Sequence, residues 1–162
     1  MTQRAASVGK RHASKVGRRT AMHRTVERML RTNPEPPFAP LDPLSRAIHA
    51  AIECAQVCAA CTDACVGEHV PNGVLDHCIR LTQDCADICT TASRVLTRQQ
   101  SPDLGMIAMT IELCAYACES CAAECERHSI QHAHCNVCAA ACGRCFTACR
   151  ELMQGRNENT MH

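Results

Sequence analysis

All but one of the steps between neighbouring cysteines within four clusters of this chain are three or four residues long. The clusters are Cys54, Cys58, Cys61, Cys65; Cys78, Cys85, Cys89; Cys114, Cys118, Cys121, Cys125; and Cys135, Cys138, Cys142, Cys145, Cys149. Side chains spaced alternately three and four apart lie along one stripe of an α-helix, the a and d positions that aliphatic residues hold in a coiled-coil seam. The exception is a step of seven in the second cluster, where Leu81 and Thr82 stand between Cys78 and Cys85. A chain with four such stripes is expected to turn them inward and to line its interior with thiols.

Helix-stop signals divide the chain in the same way. Residues 33–43 carry five prolines, each lacking a donor and restricting the residue before it, and read as a linker. Asp42-Pro43 reads as a cap with proline in the first turn, opening a helix over 44–69 that Val70-Pro71-Asn72-Gly73 ends. A second helix is expected over 74–98, and Ser101-Pro102-Asp103 repeats the cap-plus-proline signal for a third reaching His128. A fourth spans 132–154. Four long helices with short connections favour antiparallel neighbours. The expected fold is all-α, an up-down-up-down four-helix bundle over 44–154, preceded by an arm over 1–43 with a short helix over 20–31 and followed by a disordered tail over 155–162.

Ordinary apolar residues cannot fill such an interior. Leu, Ile, Val and Phe number 9, 7, 9 and 2, whereas Ala and Cys number 24 and 16. Net charge is only +1, which argues against wholesale disorder, but it joins a balance of +8 over residues 1–33 to one of −7 over the rest. The basic arm suits a solvated terminus better than a nucleic-acid contact or a transit peptide, and Met22 offers an alternative start of translation. No apolar h-region follows Arg18-Arg19, so an export signal is not expected. Polar residues are expected to interrupt every stretch that would span a bilayer, and no membrane association is expected.

A thiol core forgoes roughly 1.5–3 kcal/mol for each Leu or Ile it replaces, so packing alone does not account for 16 cysteines. In a reducing compartment such density reads as metal binding or redox chemistry before structural disulfides, and bridges between turns of one helix have poor geometry. Thiolates select Cu(I), Zn(II) or iron–sulfur clusters. Structural zinc takes four ligands, commonly from knuckles in turns, and the ferredoxin run C-x2-C-x2-C-x3-C-P is absent. Neutralising all the thiolates would take on the order of 16 monovalent or about 8 divalent ions, which describes a reservoir. No glycine-rich phosphate loop or nucleophile elbow is present, and no enzyme activity is expected.

Four helices with inward C-x3-C and C-x2-C steps, alanine filler and a basic segment before a proline linker resemble the four-helix-bundle copper storage proteins. The resemblance covers residues 44–154. It implies many Cu(I) ions held by the 16 cysteines, a homotetramer and, without an export signal, the cytosolic branch. The departure at Leu81 and Thr82 leaves occupancy there open.

Extending the stripes locates the two ends of the tube. His69, His128 and His132 continue the stripes at one mouth, with His77 and His134 beside them. The first three are expected to relay Cu(I), with a copper chaperone or small-thiol donor outside, although histidine in a last helical turn also caps it. The other end continues as Ile48, Ala51, Ala92, Leu96, Ile107, Ile111 and Leu152, an apolar plug. Met106 and Met109 near it are expected to fill core rather than bind metal. The expected function is storage of multiple Cu(I) ions, protecting the cytosol or buffering supply. The alternatives are a general thiophilic buffer for zinc, or a thiol-redox or iron–sulfur protein.

Overall fold

The computed structural model describes residues 21–68 and 73–159. The basic arm over 1–20, His69 and the last three residues lie outside them. Five helices are present among the described residues, with no strand: α1 (Ala21–Arg31), α2 (Leu41–Gly67), α3 (Asp76–Thr97), α4 (Leu104–His128) and α5 (Ala133–Asn159). In the bundle, α2 packs on α3 and α5, and α4 packs on the same two, which closes a square of antiparallel neighbours. The expected architecture is present.

Several boundaries differ from the sequence expectation, each for a local reason. Helix α2 begins at Leu41 after Pro40, earlier than the Asp42-Pro43 signal suggested. Pro43 falls in the first turn, where a missing N–H costs little because those donors lack intrahelical partners anyway. Asp103, not Ser101, caps α4: its carboxylate accepts from the Met106 N–H at 2.9 Å, while Ser101 takes a φ of 44° in the turn before it. Helix α5 continues to Asn159, so the tail expected from residue 155 is mostly helix.

The prolines keep residues 33–40 out of helix, and this stretch crosses the plugged end as a strap. Phe38 donates its N–H to Gln99 Oε1 at 3.2 Å, and the buried Gln99 in turn donates to the Leu96 carbonyl at 2.8 Å. Beyond the strap, α1 lies back on α2 with Val26 and Leu30 turned inward. All seven plug residues expected from the stripes are buried, joined by Leu44. Met106 and Met109 are not core: they are 53% and 61% exposed, on the outer face of α4.

The expectation that polar residues interrupt every long apolar stretch does not hold. Helices α2 and α4 are both long and apolar enough, by length and composition, to cross a membrane. Alanine and cysteine supply that character, and in the bundle the cysteines of both are turned inward and buried.

Candidate metal centre

All 16 cysteines are buried, and all are free thiols. Because each stripe runs the length of its helix and the helices alternate in direction, sulfurs from different helices meet level by level. From the mouth inward, groups whose ligand atoms lie within 4.8 Å of one another include Cys61, Cys65, Cys135 with His134; Cys61, Cys78, Cys125, Cys135; Cys58, Cys121, Cys138, Cys142; Cys54, Cys58, Cys85, Cys142; and Cys54, Cys85, Cys89, Cys118. Successive groups share two corners each, except the second and third, which have no residue in common. Beyond Cys89 the array continues through Cys114 at 3.7 Å, and Cys114 lies 3.9 Å from Cys145.

The spacing suits metal rather than disulfides. Cys58 and Cys142 are 3.5 Å apart, Cys54 and Cys142 3.6 Å, and Cys78 and Cys125 3.7 Å. A disulfide needs about 2.05 Å. Ligands about 2.3 Å from a tetrahedral centre stand about 3.8 Å from each other, close to the separations seen.

Without metal the thiols sort into hydrogen-bond acceptors and donors. Hydrogen bonds led by the one from Cys125 hold Cys78 down at about 3, and likewise bring Cys121 to about 2. Their donors move the other way: Cys125 is pushed far up by giving its hydrogen to Cys121 and other neighbours. At the mouth, burial and then the negative charge of Cys78 push Cys65 up to about 11. The empty tube therefore keeps many of its protons, since a dry interior cannot hold 16 thiolates uncompensated.

The gap in the α3 stripe resolves at Thr82. With Thr82 counted, α3 has the same 4, 3, 4 steps as α2 and α4, and its side chain is fully buried whereas Leu81 is only partly so. Its hydroxyl meets Thr62 Oγ1 at 2.7 Å and donates to the Cys78 carbonyl at 2.8 Å. The neighbouring group Cys58, Cys121, Cys138, Cys142 accordingly draws nothing from α3. Thr82→Cys should restore the missing ligand and raise capacity by about one Cu(I), read by anaerobic titration against wild type; an unchanged end point would show that this position does not reach the array.

At the mouth, the histidine among the described residues that touches the thiols is His134, which the sequence placed beside the stripe rather than on it. Its Nε2 lies 3.4 Å from Cys65 Sγ. The His132 ring stands 5.5 Å from the His134 ring and 6.5 Å from that of His128. His77 is exposed on the first turn of α3. Two carboxylates not anticipated from sequence complete the mouth. Buried Glu124 lies 3.1 Å from His128 Nε2 and also pairs with Arg127 at 3.0 Å. Glu68 Oε1 stands 3.1 Å from His132 Nδ1, off hydrogen-bond alignment, and 3.6 Å from His134 Nδ1. The spacing of Glu124 four residues before His128 was a readable signal for one of them.

Fold and site together define a four-helix bundle whose interior is a continuous array of soft sulfur ligands with an imidazole-lined mouth. Residues 41–154 match the family model for copper storage proteins. The chain belongs to that family. Ccsp, the copper storage protein of Streptomyces lividans loaded with 10 copper equivalents, is 40% identical, with a TM-score of 0.76 over 80% of this chain and 98% of that one. Another structure of a copper storage protein from Streptomyces lividans, with five coppers, describes it as cytosolic; it is 42% identical with a TM-score of 0.67, covering 70% of this chain and 94% of that one. The Cu(I)-bound copper storage protein BsCsp3 is 37% identical with a TM-score of 0.57, over 65% of this chain and 93% of that one. An uncharacterized cysteine-rich protein of Bacillus subtilis, YhjQ, is 40% identical over 71 residues, 44% of this chain; the match spans 61% of that relative's length.

Proposed function

We propose that this protein stores multiple Cu(I) ions in the cytoplasm, using all 16 cysteines as thiolate ligands and performing no catalysis. The observation that carries this reading is the corner-sharing of the sulfur groups: Cys54, Cys58, Cys61, Cys85, Cys135 and Cys142 each belong to two. Isolated tetrahedral sites for a divalent ion need not share ligands, whereas monovalent ions bridged by common sulfurs fill such an array with little net charge. The cytosolic description of the Streptomyces lividans structure supports the compartment.

Anaerobic titration of reduced protein with Cu(I) against a competing chelator tests the reading. Many ions should bind, far more tightly than zinc; saturation at one or two would reject storage. The same titration has a definite pH dependence. Thiols pushed up, such as Cys65 at about 11, are protonated at neutral pH and must release protons when copper binds. Protons compete with copper, so apparent affinity should rise with pH and loading should acidify a weakly buffered solution.

Copper is passed inward at the mouth. His128 and His132 hand ions to His134, whose contact with Cys65 makes it the last imidazole before the thiols; by its place in the sequence, four residues after Cys65, His69 is assigned to the same relay, and the exposed His77 is given a lesser part. Replacing His128 and His132 together by Phe should slow both uptake and chelator-driven removal by about tenfold or more while leaving the end point unchanged, since one lost ligand step of about 1.4 kcal/mol is tenfold in rate. Equal stopped-flow rates in variant and wild type would assign these histidines to capping alone.

Outside the tube, Met106, Met109, Leu113 and Tyr116 recur at steps of three, four and three along the exposed face of α4. This unpartnered stripe supports self-association, as the tetramer implied by the family resemblance requires. A copper chaperone or small thiol is the donor that a monovalent ion, scarce as the free ion, calls for. Neither nucleic acid nor a membrane is a partner in this reading.

A further inference from the structure

The outermost ligand group differs chemically from the others. Cys61, Cys65, Cys135 and His134 offer three sulfurs and one imidazole nitrogen, all within 4.8 Å of one another, whereas the four deeper groups named above are all sulfur. Three thiolates and an imidazole at a tetrahedral centre are a donor set that zinc takes in structural sites. The Cys65 Sγ to His134 Nε2 separation of 3.4 Å is near the edge length of such a tetrahedron, about 3.5 Å for bonds of about 2.3 and 2.0 Å. Behind the ring, Glu68 Oε1 lies 3.6 Å from Nδ1, just beyond hydrogen-bond reach, so that a small rotation of the ring would bring the carboxylate onto the N–H of a ligating histidine.

Charge separates this group from the deeper ones. A divalent ion on four thiolates leaves two negative charges on a fully buried group, which a dry interior disfavours. On three thiolates and a neutral imidazole it leaves one, at an end where the His134 side chain is 21% and the Glu68 side chain 38% exposed. We propose that Cys61, Cys65, Cys135 and His134 form a tetrahedral site for one Zn(II) ion at the mouth, distinct in selectivity from the Cu(I) array within. The proposal rests on the copper-storage reading for the rest of the tube. Because Cys61 and Cys135 are also corners of the next group inward, zinc held here withdraws two ligands from the array and caps it until Cu(I) displaces the ion.

X-ray absorption at the zinc edge of the full-length reduced protein, given one equivalent of Zn(II) without copper, is the test. A shell of three sulfurs and one nitrogen is expected; a shell of four sulfurs, or failure to bind zinc against a weak chelator, would overturn the proposal. Glu68→Gln should weaken zinc binding by about 10–100-fold, and His134→Cys should convert the shell to four sulfurs. A shell that stays the same in His134→Cys would also overturn it. Cu(I) titration of the same preparation separates the two ideas: many ions taken up beside a four-sulfur zinc shell leaves storage standing and this site rejected, whereas saturation with one or two Cu(I) rejects storage itself.

Discussion

Loading with Cu(I) should raise the thermal midpoint of this protein by tens of degrees, because the metal supplies what the apolar core does not. An ion present at about 1,000 times its dissociation constant contributes about 4.1 kcal/mol to the folded state when the unfolded chain does not bind it. A domain of this size has a net stability of about 5–15 kcal/mol. Four such ions would roughly match the upper end of that range, and each kcal/mol moves the midpoint by roughly 2–8 °C in this size range. Residual binding of Cu(I) to cysteines of the unfolded chain reduces the gain without removing it, since an unfolded chain does not hold four sulfurs at the separations of 3.5–3.9 Å seen across helices here. Far-UV circular dichroism melts of reduced apo-protein and of protein at graded copper loading check this. A midpoint that rises with each equivalent is expected; one that does not move would mean copper binds outside the folded interior.

The sequence carried the interior more legibly than the mouth, and the difference is geometric. Spacing along one helix determines which face a residue takes, so the four cysteine stripes and the plug residues from Ile48 to Leu152 could be read directly, and all are buried. Spacing says nothing about the stagger between helices, and stagger decides which residues meet across a gap. His134 precedes Cys135 and lies off the stripe of α5, yet it reaches Cys65 on α2. Glu68 was hidden for the same reason, since its partners His132 and His134 are on the far side of the turn into α5. Thr82 was half legible: the step of seven revealed a gap, but only the rotation of α3 distinguishes the buried Thr82 from the partly exposed Leu81. Met106 and Met109 were misplaced because hydrophobicity was read as burial, whereas the core face of α4 is already taken by Ile107, Ile111 and the cysteines that follow.

The same uneven core predicts where the empty protein is weakest. The large aliphatic side chains that are fully buried are Leu44, Ile48, Leu96, Ile111 and Leu152, all at the strapped end. Toward the mouth the interior among the described residues is mostly sulfur, Thr82 and alanine, with Leu75 at the start of α3 the large aliphatic side chain buried there. Apolar burial in the apo-protein is thus concentrated in one cluster at one end of helices up to 27 residues long, and the rest of the tube contributes much less per residue. Ile111→Ala should therefore cost about 2–5 kcal/mol in the apo-protein, a large fraction of its stability. Cys118→Ala, in the middle of the tube, should cost the apo-protein less, because a smaller group is removed, yet it should lower copper capacity, which Ile111→Ala should not. Urea unfolding of both reduced variants, with and without copper, tests the division. The expected result is an Ile111→Ala apo-protein that unfolds at much lower urea and regains most of the lost resistance when loaded, since bound ions hold the four helices together independently of the plug. If Cys118→Ala instead destabilises the apo-protein as much as Ile111→Ala, the thiol mesh is itself a principal source of apo stability and the plug is not what holds the empty store folded.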